Sequence, residues 1–391
     1  MYLTKEEERT CDGEYGWAGQ ICMKILVRLG DLFNATRLIP IESAHVSGVS
    51  YKTLGDAPID FLEALAEAGA KTSVKAMLNP RSFDKKYLGK KIPKEFHKKQ
   101  ACILTQFEKM TFEPALTCTP YYLEKPERGA HLAWAESSAV VYTNSVLGAW
   151  TNREGGPSAL AAAIIGKTPD YGMHKAENRQ PNILVSVEKP LENEVEFGAL
   201  GIHLGKILGD KIPMIQGLKN ASTEELKQLG AALASSGMVN MFYRDIDTYK
   251  EKVEKISVET TDIKQTVENL STAPKSTQPD LIYIGCPHCS FDEIKRIAEN
   301  MGDGKVRSET EFWVCTSRYI SEKAEKHVKK IEKSGGHVLT DTCAVVTWTE
   351  LLGIRTIMTN SAKTAYYAPT LNKAETTLAP VKQCLKTALK E

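Results

Sequence analysis

The sequence predicts an α/β fold, with several domains built on largely parallel sheets. Strand-like apolar runs alternate with helical periodicity through most of the 391 residues, which is the pattern of βαβ units. That length fills more than one hydrophobic core. The least ordinary residues lie just beyond the ends of the strand-like runs, where parallel sheets bind their ligands.

The elements follow in order. Residues 15–33 form a helix, since Trp17, Ile21, Ile25, Leu29 and Leu32 recur near helical spacing. Residues 37–47, with Leu38, Ile39 and Ile41, form a strand that enters a loop. Residues 60–68 form a short helix stopped by Gly69. A strand over 74–78 ends at Asn79-Pro80, residues 94–108 are helical, and 115–119 are strand-like. Gly155-Gly156-Pro157-Ser158 breaks the chain before an Ala-rich helix at 158–165. The polar stretch 168–183 is a surface loop or domain joint. Strands then fall at 183–187, 212–215, 238–243, 281–285, 311–315 and 337–340. Helices fill the gaps at 192–208, 223–236, 291–301 and 320–334. The Ser/Thr-rich residues 264–279 are a connection. The chain divides into an N-terminal α/β region, 1–182, and a C-terminal one, 183–391.

Charge is balanced, with 50 Lys plus Arg against 49 Asp plus Glu. That argues against a nucleic-acid surface as the main business, though a few cations can still converge on a small anion. No apolar run reaches the ~18 residues of a membrane span. The start, Met1 to Glu8, is acidic and lacks the apolar region of a signal peptide. Neither membrane nor nucleic acid is an expected partner, and a cytoplasmic location is expected. Nine cysteines, an odd number scattered along the chain, fit reduced thiols better than a disulfide framework.

Three of these cysteines share a local grammar. Cys118, Cys286 and Cys343 each follow an apolar or β-prone run and precede a turn, as in Thr117-Cys118-Thr119-Pro120, Gly285-Cys286-Pro287-His288-Cys289 and Thr342-Cys343-Ala344. Strand-end thiols from three segments can meet at one iron–sulfur cluster. Three thiolates on a cubane leave one iron open, and an open iron is a Lewis acid for a hydroxyl leaving group. Cys286-Pro287-His288-Cys289 also fits a redox C-x-x-C or part of a zinc site. Cys11, Cys22, Cys102, Cys315 and Cys384 are small buried hydrophobes on this view.

Polar loops follow other strand ends. His45-Val46-Ser47-Gly48-Val49-Ser50 lets backbone N–H groups face an anion. Asn79-Pro80 ends another strand, and Ser137-Ser138 caps a helix or contacts a ligand. Asn144, Asn152, Arg153 and Glu154 stand beside Gly155-Gly156, where Arg153 is a carboxylate clamp or a solvated surface residue. Lys363 lies among small and aromatic residues.

His45-Val46-Ser47-Gly48, Thr117-Cys118-Thr119-Pro120-Tyr121, the run from Trp134 to Ser158, Gly285 to Cys289 and Thr359 to Lys363 together resemble the aconitase X family over essentially the whole chain. The resemblance implies an aconitase-like fold, with several α/β domains around a cluster-binding cleft. It implies a [4Fe–4S] cluster with one open iron on Cys118, Cys286 and Cys343, with Cys289 a bystander. It implies a small anionic substrate touched by Gly48, Val49, Ser50, Asn79, Pro80, Ser137, Ser138 and Lys363. The family's swivelling domain is fused or a separate small subunit. The chain stops at Glu391 with no room for it, so a partner subunit is expected, in a heterodimer or larger assembly. The base is expected on that partner, with no certain catalytic residue on this chain. Archaeal members with split subunits dehydrate (R)-5-phosphomevalonate to trans-anhydromevalonate 5-phosphate in a modified mevalonate pathway, and bacterial relatives dehydrate cis-3-hydroxy-L-proline. The Lys/Glu-rich composition and expected split favour the archaeal activity. A cluster-bearing regulatory subunit without catalysis is the alternative from another class.

Overall fold

Short, mostly parallel strands set the frame of each part of the chain. The computed structural model describes residues 1–244 and 253–390, and strand counts refer to those residues. The chain forms two compact units, Met1–Pro80 with Pro93–Gln180, and Arg81–Ile92 with Pro181–Glu391.

The first unit holds β1 (Leu38–Pro40), β2 (Ser43–Val46), β3 (Lys75–Leu78), β4 (Leu132–Trp134) and β5 (Lys167–Pro169). β2 is central, with β3 and β4 parallel on either side. All four β2 residues are buried, as a parallel strand covered on both faces must be. The Ala-rich helix Gly156–Ile165 and the helix Trp17–Leu32 contribute Ala159, Ala162, Ala163, Cys22 and Leu26 to the same core.

Three expectations change here. The strand over 37–47 is two strands, because the chain leaves the antiparallel β1–β5 pair at Pro40, which has no N–H to continue a ladder. Residues 115–119 supply one bridge, Leu116 to Leu78, and then turn. The stretch 168–183 carries the boundary between the two units, at Gln180 and Pro181, and is not all surface: it holds most of β5 and two tight turns, Gly172–His174 and Ala176–Arg179, with His174 and Arg179 buried. Arg179 tolerates burial because its guanidinium donates to the carbonyls of Met173, Asn144 and Ala149.

The second unit holds two parallel sheets. One has β6 (Ile183–Val187), β7 (Pro213–Gln216), β8 (Tyr243–Arg244) and β9 (Glu254–Val258) in the order β8-β7-β6-β9. The other has β10 (Leu281–Ile284), β11 (Glu311–Thr316), β12 (His337–Thr340), β13 (Thr356–Thr359) and β14 (Glu375–Leu378) in the order β12-β11-β10-β13-β14. The strand expected over 238–243 shrinks to β8, while β9, β13 and β14 appear where polar and Thr-rich residues hide a strand pattern. The connection expected over 264–279 begins inside the helix Thr260–Leu270, which Glu259 and Asp262 cap and which buries Ile263, Thr266 and Leu270. No helix among the described residues is long and apolar enough to cross a membrane.

The strand orders locate the ligand edges. In the five-stranded sheet the chain adds β11 and β12 on one side of β10, then returns to add β13 and β14 on the other. A crevice opens at such a reversal, outside the carboxyl ends of the two diverging strands, here β10 and β13. The order β3-β2-β4 makes the same reversal between β2 and β4 in the first unit.

Candidate active site

In the first unit the predicted contact residues gather at the carboxyl ends of β2, β3 and β4. Gly48 takes φ +78°, a backbone that an L side chain rarely adopts, and turns the chain into Val49 and Ser50. Gln100, from the helix Lys94–Lys109, brackets that turn: its amide donates to the Val49 carbonyl at 2.9 Å and its oxygen accepts from the Tyr51 N–H at 3.2 Å. Asn79 follows β3 and donates its backbone N–H to the Val46 carbonyl at 2.9 Å. Its side-chain amide donates to Glu136 Oε2 at 2.9 Å, while its own Oδ1 is buried with no hydrogen-bond partner among the described residues.

Glu136 is the hub of this edge. It is the N-cap of the helix Ser137–Tyr142, so neither serine takes that place. Its Oε1 accepts from the Ser138 hydroxyl at 2.9 Å and its Oε2 from Asn79. One carboxylate thus ties the β3 loop to the β4 loop. The glutamate was visible in the sequence, but nothing local marked it as shared between strands. Gln100 was missed for the same reason.

The polar cluster beside Gly155-Gly156 is mainly scaffold. Asn144 holds Thr151, and Asn152 holds Tyr171 and Met173. Glu154 is buried, which raises its carboxyl above the usual range despite hydrogen bonds from Ser158 and Thr168. Arg153 is half-buried.

Cys118 also lies in this unit, after the Leu116 bridge. Thr117 donates its N–H to the Leu78 carbonyl at 2.9 Å, and its hydroxyl accepts from the Thr119 N–H at 3.1 Å, a tight turn around the cysteine.

In the second unit Cys286 follows β10, Cys343 follows β12 and Lys363 follows β13. Lys363 occupies the first turn of the helix Ala362–Tyr367, which Ser361 caps by accepting from the Thr364 N–H at 3.2 Å. Cys289 precedes the helix Phe291–Met301, donates its N–H to the Cys315 carbonyl at 2.9 Å and accepts from the Thr316 hydroxyl at 2.7 Å. A cavity of about 460 Å³ opens beside Ile284 and Asn360, lined also by Gln228, Glu224, Arg296 and Lys382, but not by Cys286, Cys343 or Lys363.

Burial separates the cysteines. Cys118, Cys286 and Cys343 keep 8%, 5% and 8% of their surface, whereas Cys22, Cys289, Cys315 and Cys384 keep 1% or less. Burial pushes the Cys22 thiol up to about 12 and raises those of Cys289, Cys315 and Cys384 as well. A thiol must lose its proton to ligate iron. Cys118, Cys286 and Cys343, which keep some exposure, fit a cluster's donor set by residue type and reach, and the four sealed thiols fit packing. Among the described residues no three His, Cys, Asp or Glu side chains already form a metal-binding group.

Comparison with known proteins gives the context of this arrangement. The chain matches the aconitase X first domain over residues 1–177, the second domain over 181–268 and the third domain over 279–390. It is 46% identical to the phosphomevalonate dehydratase large subunit of Methanocaldococcus jannaschii, covering 99% of this chain and 100% of that one. It is 32% identical to the cis-3-hydroxy-L-proline dehydratase of Pseudomonas aeruginosa, covering 96% of this chain but 68% of that protein. Aconitase X of Thermococcus kodakaraensis, solved in its holo-form, superposes with a TM-score of 0.93 at 42% identity, over 99% of this chain and 100% of that one.

Proposed function

The chain belongs to the aconitase X family, and from that premise we propose that it is the large subunit of a hydro-lyase that dehydrates (R)-5-phosphomevalonate to trans-anhydromevalonate 5-phosphate. The observation that carries the substrate is length and identity together. The chain spans the whole archaeal large subunit at 46% identity, and only 68% of the hydroxyproline enzyme at 32%.

Cys118, Cys286 and Cys343 are the proposed ligands of a [4Fe–4S] cluster. Bound there, such a cluster supplies one open iron, a Lewis acid for the departing C3 hydroxyl. This chain's own residues bind and orient the substrate. The Gly48–Ser50 turn offers backbone N–H groups to an anionic end, with Pro80 beside Asn79 shaping the neighbouring loop. Ser137, Ser138 and Asn79 offer polar contacts on a frame that Glu136 holds. Lys363 supplies a cation for phosphate or carboxylate. The base that takes the C2 proton belongs to a small swivelling subunit, and the assembly is cytoplasmic.

Anaerobic co-expression with that subunit tests the proposal. Turnover of (R)-5-phosphomevalonate by the complex, with little by this chain alone, is the expected result. Turnover of cis-3-hydroxy-L-proline instead would move the substrate assignment to the bacterial activity, and no turnover of either would leave only the non-catalytic reading standing.

A further inference from the structure

Two histidines outside the proposed contact set share one geometry. At the end of β2, His45 Nε2 lies 2.8 Å from the carbonyl oxygen of Thr117. In the loop after β10, His288 Nε2 lies 2.9 Å from the carbonyl oxygen of Thr342. Both rings are 0% exposed. Thr117 is the residue before Cys118, and Thr342 is the residue before Cys343.

A carbonyl oxygen only accepts, so Nε2 carries the hydrogen and donates in both rings. The carbonyl of one residue and the N–H of the next lie in a single rigid peptide plane. Holding the threonine carbonyl therefore fixes the plane from which the cysteine Cα departs. What is left to the thiol is the cysteine's own φ and its rotamer. Each histidine is itself anchored: His45 stands within the buried β2, and the His288 carbonyl accepts from the buried Lys227 ammonium at 3.1 Å, which pairs with Glu293. The threonines are held from a second side, Thr117 through its N–H to Leu78 and Thr342 through its hydroxyl to the Arg81 carbonyl at 2.8 Å.

We propose that His45 and His288 are positioning residues that aim Cys118 and Cys343 at the iron–sulfur cluster by holding the carbonyl of the threonine before each ligand. A buried imidazole needs some partner, and any interior carbonyl would satisfy it. Packing alone does not choose, in each of two separate units, the one carbonyl that precedes a cluster cysteine. The inference rests on the reading of Cys118 and Cys343 as ligands.

The test uses the anaerobically purified holo-complex and four substitutions, His45→Gln, His45→Leu, His288→Gln and His288→Leu, beside Cys118→Ser and Cys343→Ser. A glutamine amide can donate from nearly the place of Nε2, and leucine cannot. The readouts are iron and sulfide per chain, the electron paramagnetic resonance spectrum of the reduced cluster, and the rate of iron loss to a chelator. The leucine variants are expected to lose iron roughly 10- to 100-fold faster, as when groups that orient metal ligands are removed, with an altered spectrum, and the glutamine variants to stay within about threefold of the wild type on the same grounds. Wild-type spectra and loss rates in both leucine variants, with iron lost from the cysteine variants, would overturn the positioning role alone. A wild-type cluster in Cys118→Ser and Cys343→Ser would overturn the ligand reading and the proposal with it. Should leucine prevent folding, asparagine replaces it, since its shorter amide cannot reach the same carbonyl, and equal rates for Gln and Asn overturn the proposal.

Discussion

Replacing Gly285 by alanine strikes the joint between β10 and Cys286. Gly285 sits at φ +120°, and a Cβ there would stand 2.4 Å from the Cys315 carbonyl oxygen and 2.7 Å from its nitrogen. Both obstacles are backbone atoms of β11, which pairs with β10 and cannot swing aside as a flexible side chain would. The forbidden backbone angle costs about 1–3 kcal/mol. Forcing a methyl into filled space costs about another 1–3 kcal/mol. A loss of about 2–6 kcal/mol lowers the melting temperature of a domain of this size by roughly 5–20 °C. The assay is calorimetry of Gly285→Ala beside the wild type, with iron content measured on the same samples. Melting within about 2 °C of the wild type, with full iron, would refute the claim that close approach of β10 to β11 sets the start of the cysteine loop.

Glu136→Gln replaces one of two acceptor oxygens by a donor that faces Asn79 or Ser138, a loss of about 1–3 kcal/mol. A fall in kcat/KM of roughly 10-fold or more, carried by KM with iron content unchanged, is expected from that loss, and an unchanged KM would count against the hub. Lys363→Gln removes one charge-assisted contact, about 1.5–3 kcal/mol, so KM for the phosphorylated substrate should rise roughly 10- to 100-fold. Equal KM in steady-state assays would take Lys363 out of the substrate site. Burial, then the neighbouring His131 and Arg179, hold His174 down to about 3 from an ordinary 6.5. The unfolded chain therefore binds a proton that the folded chain refuses, and stability present above pH 6.5 is lost as pH falls towards 3. His174→Gln should flatten the melting temperature between those limits, and an unchanged acid slope in pH-dependent calorimetry would assign that loss to other groups.

Legibility varied with the range of the interaction. Caps and helical stripes were readable because their partners lie within a turn: Ser290 accepts from the Glu293 N–H three residues on, and the helix over 291–301 falls where its periodicity placed it. The β-branched and apolar runs of β10 and β11 were readable because parallel strands are buried on both faces. β13 and β14, rich in threonine, were not, since an interior threonine satisfied by its neighbours looks polar in sequence.

The sequence by itself determined the alternation of strand and helix, the strand-end placing of Cys286 and Cys343, and the gathering of polar loops after strands. Each depends on local periodicity and on which residues end a strand. Only the tertiary structure decided the order of those strands, and with it which loops share an edge. Glu136 meets Asn79 across 57 residues, His45 meets Thr117 across 72 and His288 meets Thr342 across 54. Periodicity reports whether a side chain is buried. It carries no information on which distant carbonyl waits there, because that is fixed by sheet order and by the buried polar groups that must find partners once water is gone.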